Sequence, residues 1–132
     1  MKKYIFELPM KVRDYEVDVE GIVNNANYLH YMEHTRHEFC ASAGMSFRAM
    51  HEQGIDPVLC RAEIDYRTPL GLGEEFLSCL NLVREGARFI FEQDIYNSQG
   101  RLVVKAKISV VATVGGRLTR GDELAVYFKD YI

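Results

Sequence analysis

The sequence has 132 residues, of which 48% are hydrophobic and 27% charged, and its net charge is −3. These values are typical of one globular domain with a real core, so we predict a single domain over residues 1–132. The slight acidic excess argues against a nucleic-acid-binding surface, which usually carries an excess of basic residues. The sequence also lacks an apolar run of membrane-spanning length and the apolar region of a signal peptide. We therefore expect a cytoplasmic protein with no nucleic-acid or membrane partner.

The three cysteines, Cys40, Cys60 and Cys79, agree with a reducing compartment. Their number is odd, they are widely spaced, and no C-x-x-C pair is present, which fits free thiols better than a disulfide framework. None has a convincing local histidine partner for nucleophilic catalysis. A buried cysteine usually acts as a small hydrophobic residue.

The first predicted element is a strand over residues 4–17. Its apolar residues alternate loosely onto one side, and they are Tyr4, Phe6, Leu8, Met10 and Val12. A proline within a strand is tolerated at a sheet edge or a bulge, so Pro9 predicts one of these positions.

A long helix follows, and it is predicted to begin at Asn24 or Asn25. Asparagine is a favourable N-cap because its side-chain oxygen accepts a hydrogen bond from a free N–H of the first turn. The helix is predicted to end near Ala43, with Gly44 in the left-handed conformation.

One face of this helix is predicted to be buried and the opposite face to be polar. The apolar stripe comprises Tyr28, Leu29, Met32, Phe39, Cys40 and Ala43. His30, His34 and His37 fall on the polar side with Glu33. Arg36 lies amid the apolar stripe, so we expect it to be paired with a carboxylate or with carbonyl groups, in a structural role.

The remainder of the chain is predicted to be mostly strands. A short helical turn over residues 46–54 places Phe47 and Met50 inward. Strands with a period of two are predicted over residues 58–68, 75–84, 87–97 and 101–114, with a tight hairpin at Glu85 and Gly86. In the strand over residues 58–68, one face comprises Val58, Cys60, Ala62, Ile64, Tyr66 and Thr68. A short helix is predicted after Gly121.

The predicted order is one strand, one long helix and four strands of meander type. This order predicts an α+β architecture in which the helix packs on one antiparallel sheet. Such a sheet has open edges, and unpaired edges invite pairing with a second copy.

The helix start is also a candidate site. Carboxylates stand at every second position before it, at Asp14, Glu16, Asp18 and Glu20. The free N–H groups of a first helical turn can stabilise a carbonyl oxygen as it becomes an oxyanion, and Asp18 is close enough in sequence to act as nucleophile or general base. Acidic residues before a helix also favour its dipole without any catalytic role, and the residues alone leave this alternative open.

Two metal sites were considered and are not favoured. Aligning Gly21 with the sixth position of a calcium loop places Asn27 at the twelfth, where a bidentate glutamate belongs. The three helix histidines have a workable ligand spacing, but they lie on the face predicted to meet solvent. We predict no metal and no cofactor.

The segment over residues 14–36 resembles a known signature. The run D-x-x-G-I-V-N-N-A-N-Y from Asp18 to Tyr28, followed by E-H-T-R-H-E-F from Glu33, is similar to that of the 4-hydroxybenzoyl-CoA thioesterase-like hotdog family. V-R-D-Y-E-V-D together with V-N-N-A is similar to the acyl-lipid thioesterases of plant plastids and their bacterial relatives. The likeness continues through I-D-Y-R-T-P-L, which begins at Ile64.

The resemblance implies a hotdog fold, an antiparallel five-stranded sheet wrapped around one long helix. It also implies a homodimer or homotetramer with active sites at the dimer interface. Asp18 is then the catalytic carboxylate, the main-chain N–H at or near Asn25 is the oxyanion donor, and Glu16 has an uncertain role. A dehydratase of the same fold is not favoured, because Ile22 stands where some relatives carry histidine.

We therefore expect an acyl thioesterase that hydrolyses an acyl-CoA or acyl carrier protein thioester. The carbonyl is expected to meet Asp18 and the Asn25 N–H in a shared pocket, and the acyl chain to run between helix and sheet. The predicted substrate-binding residues are Gly21, Val23, Asn24, Tyr28, Met32 and Arg67. The alternative is a non-catalytic hotdog module that binds acyl thioesters or fatty acids.

Overall fold

The computed structural model describes residues 2–132 and contains three α-helices and six strands within them. In chain order these are β1 Phe6–Lys11, a 3-10 turn Asp14–Glu16, α1 Asn25–Ser42, α2 Phe47–Glu52, β2 Ile55–Tyr66, β3 Glu75–Glu85, β4 Arg88–Asn97, β5 Leu102–Val114, β6 Arg117–Leu118 and α3 Asp122–Phe128. The predicted helices and most strands are confirmed. The first strand is shorter than predicted, because the chain leaves the sheet after Lys11 and folds into the 3-10 turn.

The sheet is antiparallel, with strand order β1-β3-β4-β5-β2 and with β6 paired to β5. The prediction of a four-strand meander is only partly right. β3, β4 and β5 form a meander, but β2 lies at the far edge, beside β5. β1 forms the other edge, where Pro9 is tolerated as predicted. The β3–β4 hairpin turns through Gly86 and Ala87, one residue later than predicted.

Helix α1 packs on the concave face of the sheet. Its N-cap is Asn24, whose side-chain oxygen accepts from the Ala26 N–H at 3.0 Å, and Gly44 follows its end with φ of 77°. The buried residues of α1 are Tyr28, Tyr31, Met32, Thr35, Phe39 and Cys40. Leu29 was predicted to be buried but is exposed. The buried face of the helix is centred on Tyr31, Met32 and Thr35, and Leu29 lies outside it.

Two buried polar contacts join α1 to the sheet. The Thr35 and Ser78 hydroxyls lie 2.7 Å apart, and the Gln93 side-chain amide donates to the Met32 carbonyl at 3.1 Å. The oxygen of the same amide accepts from Arg36 Nη1 at 2.9 Å. Arg36 therefore has a hydrogen-bond partner, as predicted, but the partner is the side-chain amide oxygen of Gln93 on β4 and not a carboxylate.

Strand β2 presents an open edge and an uncovered face. A register shift between Leu59 and Arg61 changes which residues face the helix side. Leu59 pairs with Val110 and Ala62 pairs with Ile108, so both lie on the helix side of the sheet. Val58 pairs with Val111 and lies on the opposite side, so the prediction that Val58 and Ala62 share one face is wrong. Leu59 and Ala62 are exposed although they lie on the helix side of the sheet, which leaves this part of the concave face without cover.

Replacing Met32 by alanine is expected to lower the free energy of unfolding by about 2–5 kcal/mol, because the side chain is fully buried and leaves a cavity. Val126→Ala on α3, where the side chain is 67% exposed, is the matched control and should change it by less than about 0.5 kcal/mol. Urea unfolding followed by circular dichroism measures both. Equal effects would show that α1 does not bury Met32.

Candidate active site

The segment between the 3-10 turn and α1 forms a tight reversal that begins at Asp18. The Asp18 N–H donates to the Ile22 carbonyl at 2.9 Å, and the Gly21 N–H donates to the Asp18 carbonyl at 3.0 Å. Gly21 has φ of 79°, a left-handed conformation that favours glycine. Val17 and Val23 close the reversal as an antiparallel bridge. The backbone therefore presents Asp18 at a defined place just before the helix.

The Asp18 side chain lies at the surface of the single chain. Its Oδ1 accepts from the Glu20 N–H at 2.8 Å, and Oδ2 has no hydrogen-bond partner within residues 2–132. Asp18 lines none of the described cavities. The described cavities therefore do not include the shared pocket expected for Asp18 and Asn25.

The first turn of α1 leaves the Asn25 N–H without an acceptor in the described part of the chain. The neighbouring donors are used, since the Asn24 N–H donates to the Glu16 carbonyl at 3.1 Å and the Asn27 N–H to the Asn24 carbonyl at 2.9 Å. The Ala26 N–H is taken by the Asn24 side chain. As the first helical residue, Asn25 has no partner within the helix either, so its N–H can donate to an added oxygen.

Glu16 is the buried anchor of this segment. Its carboxylate accepts from the Arg13 N–H at 2.7 Å, from Arg13 Nη1 at 3.2 Å and from the Tyr31 hydroxyl at 2.9 Å. Burial and the adjacent Glu16 carboxylate raise the pKa of Tyr31 above its ordinary value. The Asn27 side chain donates to the Glu16 carbonyl at 2.8 Å. Glu16 had no assigned role in the sequence analysis, and its hydrogen bond with Tyr31 was not predicted. The three-residue spacing from Arg13 to Glu16 could have indicated that the Glu16 side chain accepts from the Arg13 N–H.

Tyr28 and Met32 are core residues. The Tyr28 hydroxyl accepts from the Leu70 N–H at 3.1 Å, and the Leu70 carbonyl accepts from the Val23 N–H at 2.9 Å. The expectation that Tyr28 and Met32 line an acyl pocket is not met in the single chain, because both side chains are packed against the sheet. Tyr28 instead ties the loop around Leu70 to the helix start, and burial raises its pKa.

The other predicted binding residues line none of the described cavities. Val23 is buried, whereas Gly21 and Asn24 are exposed. Arg67 is exposed beyond the end of β2; its N–H donates to the Val103 carbonyl at 2.8 Å and its guanidinium lies 3.8 Å from Asp65. This weak, solvated pair leaves the Arg67 side chain available to another anion.

Large apolar side chains are exposed next to Asp18. Val19 follows it at the tip of the turn and is fully exposed, and Tyr15 and Leu72 are also mostly exposed. The Leu72 N–H donates to the Gly21 carbonyl at 3.3 Å, so Leu72 belongs to the same surface. Three large apolar side chains are thus exposed in or beside the segment that carries Asp18.

Residues 2–132 contain no cluster of three potential metal ligands. The helix histidines have other neighbours, since His34 Nε2 lies 3.7 Å from Glu38 and the His37 ring packs on Phe47 at 5.0 Å between centroids. Burial raises the pKa of the Cys40 and Cys79 thiols to about 12, so neither is an activated nucleophile. No helix in the described range is long and apolar enough to cross a bilayer.

A family model described as the thioesterase-like superfamily matches residues 12–125, which include the Asp18 reversal, α1 and strands β2 to β6. The chain belongs to the thioesterase-like superfamily. It is 38% identical over 95 residues to the chloroplastic acyl-acyl carrier protein thioesterase ATL2 of Arabidopsis thaliana, a match that covers 68% of this chain and 48% of that protein. The chain thus spans about half the length of this plant relative.

Two further similarities agree with this membership. The acyl-CoA thioester hydrolase YbgC of Escherichia coli is 26% identical over 113 residues, covering 84% of both chains. The structure of a 1,4-dihydroxy-2-naphthoyl-CoA thioesterase from Synechocystis superposes with a TM-score of 0.86 at 19% identity, covering 95% of this chain and 96% of that one. The second likeness concerns the fold alone, and it confirms the predicted hotdog fold.

Replacing Glu16 by glutamine is expected to lower the free energy of unfolding by about 1–3 kcal/mol, because the amide has one acceptor oxygen and its NH2 group cannot accept from Arg13 Nη1. Tyr31→Phe removes one donor and should cost about 0.5–1.5 kcal/mol. The double variant should cost less than the sum of the two, since the side chains share a hydrogen bond. Urea unfolding measures all three, and strict additivity would contradict the coupling.

Proposed function

We propose that the protein is an acyl thioesterase that uses Asp18 and the Asn25 main-chain N–H. The observation that carries this proposal is the unpaired Asn25 N–H at the start of an 18-residue helix, directly after a reversal that presents a carboxylate. The family membership and the names of the relatives support the same chemistry.

In the proposed reaction the thioester carbonyl oxygen accepts a hydrogen bond from the Asn25 N–H. Negative charge develops on this oxygen during attack, and the donor and the positive end of the α1 dipole stabilise it. Asp18 either attacks the carbonyl carbon or takes a proton from an attacking water. If Asp18 attacks, the C–S bond breaks to leave a mixed anhydride between the acyl group and Asp18, and water then hydrolyses this anhydride to the free acid. If Asp18 acts as a base, water adds to the carbonyl carbon and the C–S bond breaks to give the acid directly. In both cases the leaving thiolate takes up a proton and departs as the thiol.

The contacts around Glu16 support this role because catalysis needs fixed geometry. The Glu16 carboxylate is held by Arg13 and Tyr31, and its carbonyl is held by Asn24 and Asn27 at the helix start. These bonds join the segment that carries Asp18 to the helix that carries the oxyanion donor. The two groups therefore keep a constant relative position without a side-chain contact between them.

A second copy of the chain would complete the site. The outer edge of β2 has no strand partner among residues 2–132, and it is 12 residues long. Such an edge pairs readily with another copy, and a two-fold axis makes the pairing antiparallel. Exposed apolar residues on β2 and around Asp18, including Leu59, Tyr66 and Val19, would be covered. We propose a homodimer, alone or within a tetramer.

The substrate is an acyl group carried by coenzyme A or by acyl carrier protein. Both carriers present a phosphopantetheine thioester, so both deliver the same reacting bond and a nearby negative charge. Arg67 lies beyond β2 with its guanidinium only weakly paired, and we assign it to carrier binding. The two relatives named above act on one carrier each, according to their names.

Asp18→Asn is expected to lower kcat for thioester hydrolysis by at least about 100-fold, because it removes the nucleophile or base. Thiol release from acyl-CoA and acyl carrier protein thioesters of varied chain length measures this. Asp14→Asn, an exposed carboxylate in the preceding 3-10 turn, is the matched control and should remain near wild type. Unchanged hydrolysis in Asp18→Asn would refute the assignment, and no hydrolysis of either carrier by the wild type would favour a binding module.

Ala62→Lys is expected to weaken dimerisation and hydrolysis together. The residue is exposed on the edge strand β2, where a lysine opposes pairing with a second copy. Val126→Lys, on the exposed side of α3, should change neither property. Sedimentation velocity and thiol release measure the two effects. Full activity in a monomeric Ala62→Lys variant would contradict a site completed by a second copy.

A further inference from the structure

A cavity of about 200 Å³ lies at the C-terminal half of α1, and the proposed reaction does not use it. Its apolar wall comes from five elements and comprises Phe47 of α2, Leu59 of β2, Phe91 of β4, Val110 of β5 and Phe128 of α3. For comparison, an engineered apolar cavity of about 150 Å³ in another protein holds one benzene molecule. The volume therefore suits a group of roughly six to eight heavy atoms.

Arg36 brings a positive charge into this apolar cavity. Nη1 of its guanidinium donates to Gln93 Oε1 at 2.9 Å. Within residues 2–132, Gln93 is the only residue that hydrogen-bonds the Arg36 side chain. It forms no ion pair with a carboxylate of residues 2–132. A guanidinium has five N–H donors, so most of them are unused. No fully buried side-chain nitrogen or oxygen in that range lacks a partner, so the spare donors are not sealed in the core.

The surroundings of Arg36 leave its charge only partly compensated. Burial lowers its pKa below the ordinary value, although the nearby Glu33 acts in the opposite direction. Glu33 and His37 also line the cavity, and both are exposed at its rim. A partly buried guanidinium surrounded by aromatic and aliphatic side chains is suited to bind a ligand that has both a hydrogen-bond acceptor and an apolar portion.

We propose that this cavity binds a small apolar group that ends in a carboxylate, which Arg36 recognises. The group is the acyl portion of the substrate. Arg36 is thereby a specificity-determining residue, held in place by Gln93. A plain alkyl end or an uncharged hydroxyl end fits the volume but forms no charged pair with Arg36, so it binds more weakly than an end that carries a carboxylate.

This inference deepens the proposed function and rests on it for its catalytic consequence. Helix α1 begins beside the C-terminal end of β2, where the Tyr28 and Tyr66 rings lie 5.6 Å apart, and ends beside Pro57 near the start of β2. Antiparallel pairing of two β2 edges brings the start of one strand next to the end of the other. In such a dimer the cavity of one copy lies near the Asp18 reversal of the second copy. One copy then binds the acyl group while the other supplies Asp18.

The test compares hexanoate with hexan-1-ol, which have the same chain length but differ in charge. Each is titrated into the wild-type protein, with binding followed by calorimetry and by NMR shifts of the cavity residues Leu59 and Val110. Hexanoate is expected to bind about ten- to a hundredfold more tightly, as for hydrogen bonds to a charged group. Arg36→Met should abolish this preference, and Arg36→Lys should keep part of it. Arg48→Gln, a loss of an exposed arginine on α2, is the matched control.

Three results would overturn the inference. They are equal affinity for the two probes, a hexanoate affinity unchanged in a folded Arg36→Met variant, and the absence of binding by either probe, as when a second copy fills the cavity. The measurement needs no turnover, so it separates the two proposals. If the protein hydrolyses no thioester but hexanoate still binds through Arg36, the proposed function fails while the binding site stands.

Discussion

The buried carboxylate of Glu16 is the interaction on which the candidate site depends. A carboxylate is costly to remove from water unless donors replace its hydration, and here Arg13 and Tyr31 supply them. Because Tyr31 belongs to α1 and Glu16 to the preceding segment, the contact fixes that segment against the helix. The reversal at Asp18 and the unpaired Asn25 N–H follow from this anchoring. Local hydrogen bonds thus create the geometry that the proposed chemistry needs.

The sequence predicted the architecture well where a local rule decides the structure. Asn24 caps α1 and Gly44 follows its end, because capping and left-handed glycine are properties of short segments. The position of β2 could not be predicted in this way. Strand order depends on which edges meet in space, and alternation along β2 carries no information about its neighbour. The bulge near Cys60 also escaped prediction, since one extra residue changes the facing without changing the composition.

The site residues that the sequence singled out stay a prediction, and the sequence could not indicate what encloses them. Asp18 lies in the reversal that directly precedes α1, and it lines none of the described cavities. The exposed apolar residues Val19 and Leu72 and the uncovered face of β2 give a common physical reason. Each is costly to leave in water, and each is covered if two copies pair. The pattern of residues within one chain can predict which apolar side chains are left exposed, but it cannot predict what would cover them.

Arg36 illustrates a limit of reasoning from helical periodicity. Its position in an apolar stripe correctly required a partner, but periodicity could not identify Gln93, which lies 57 residues away. Nor could it show that one amide oxygen satisfies only a part of the guanidinium. Replacing a buried charged group by an apolar one is often neutral or stabilising, so stability alone does not explain an arginine at this position. A cation kept beside an apolar cavity is better explained by an occupant that carries the missing acceptor.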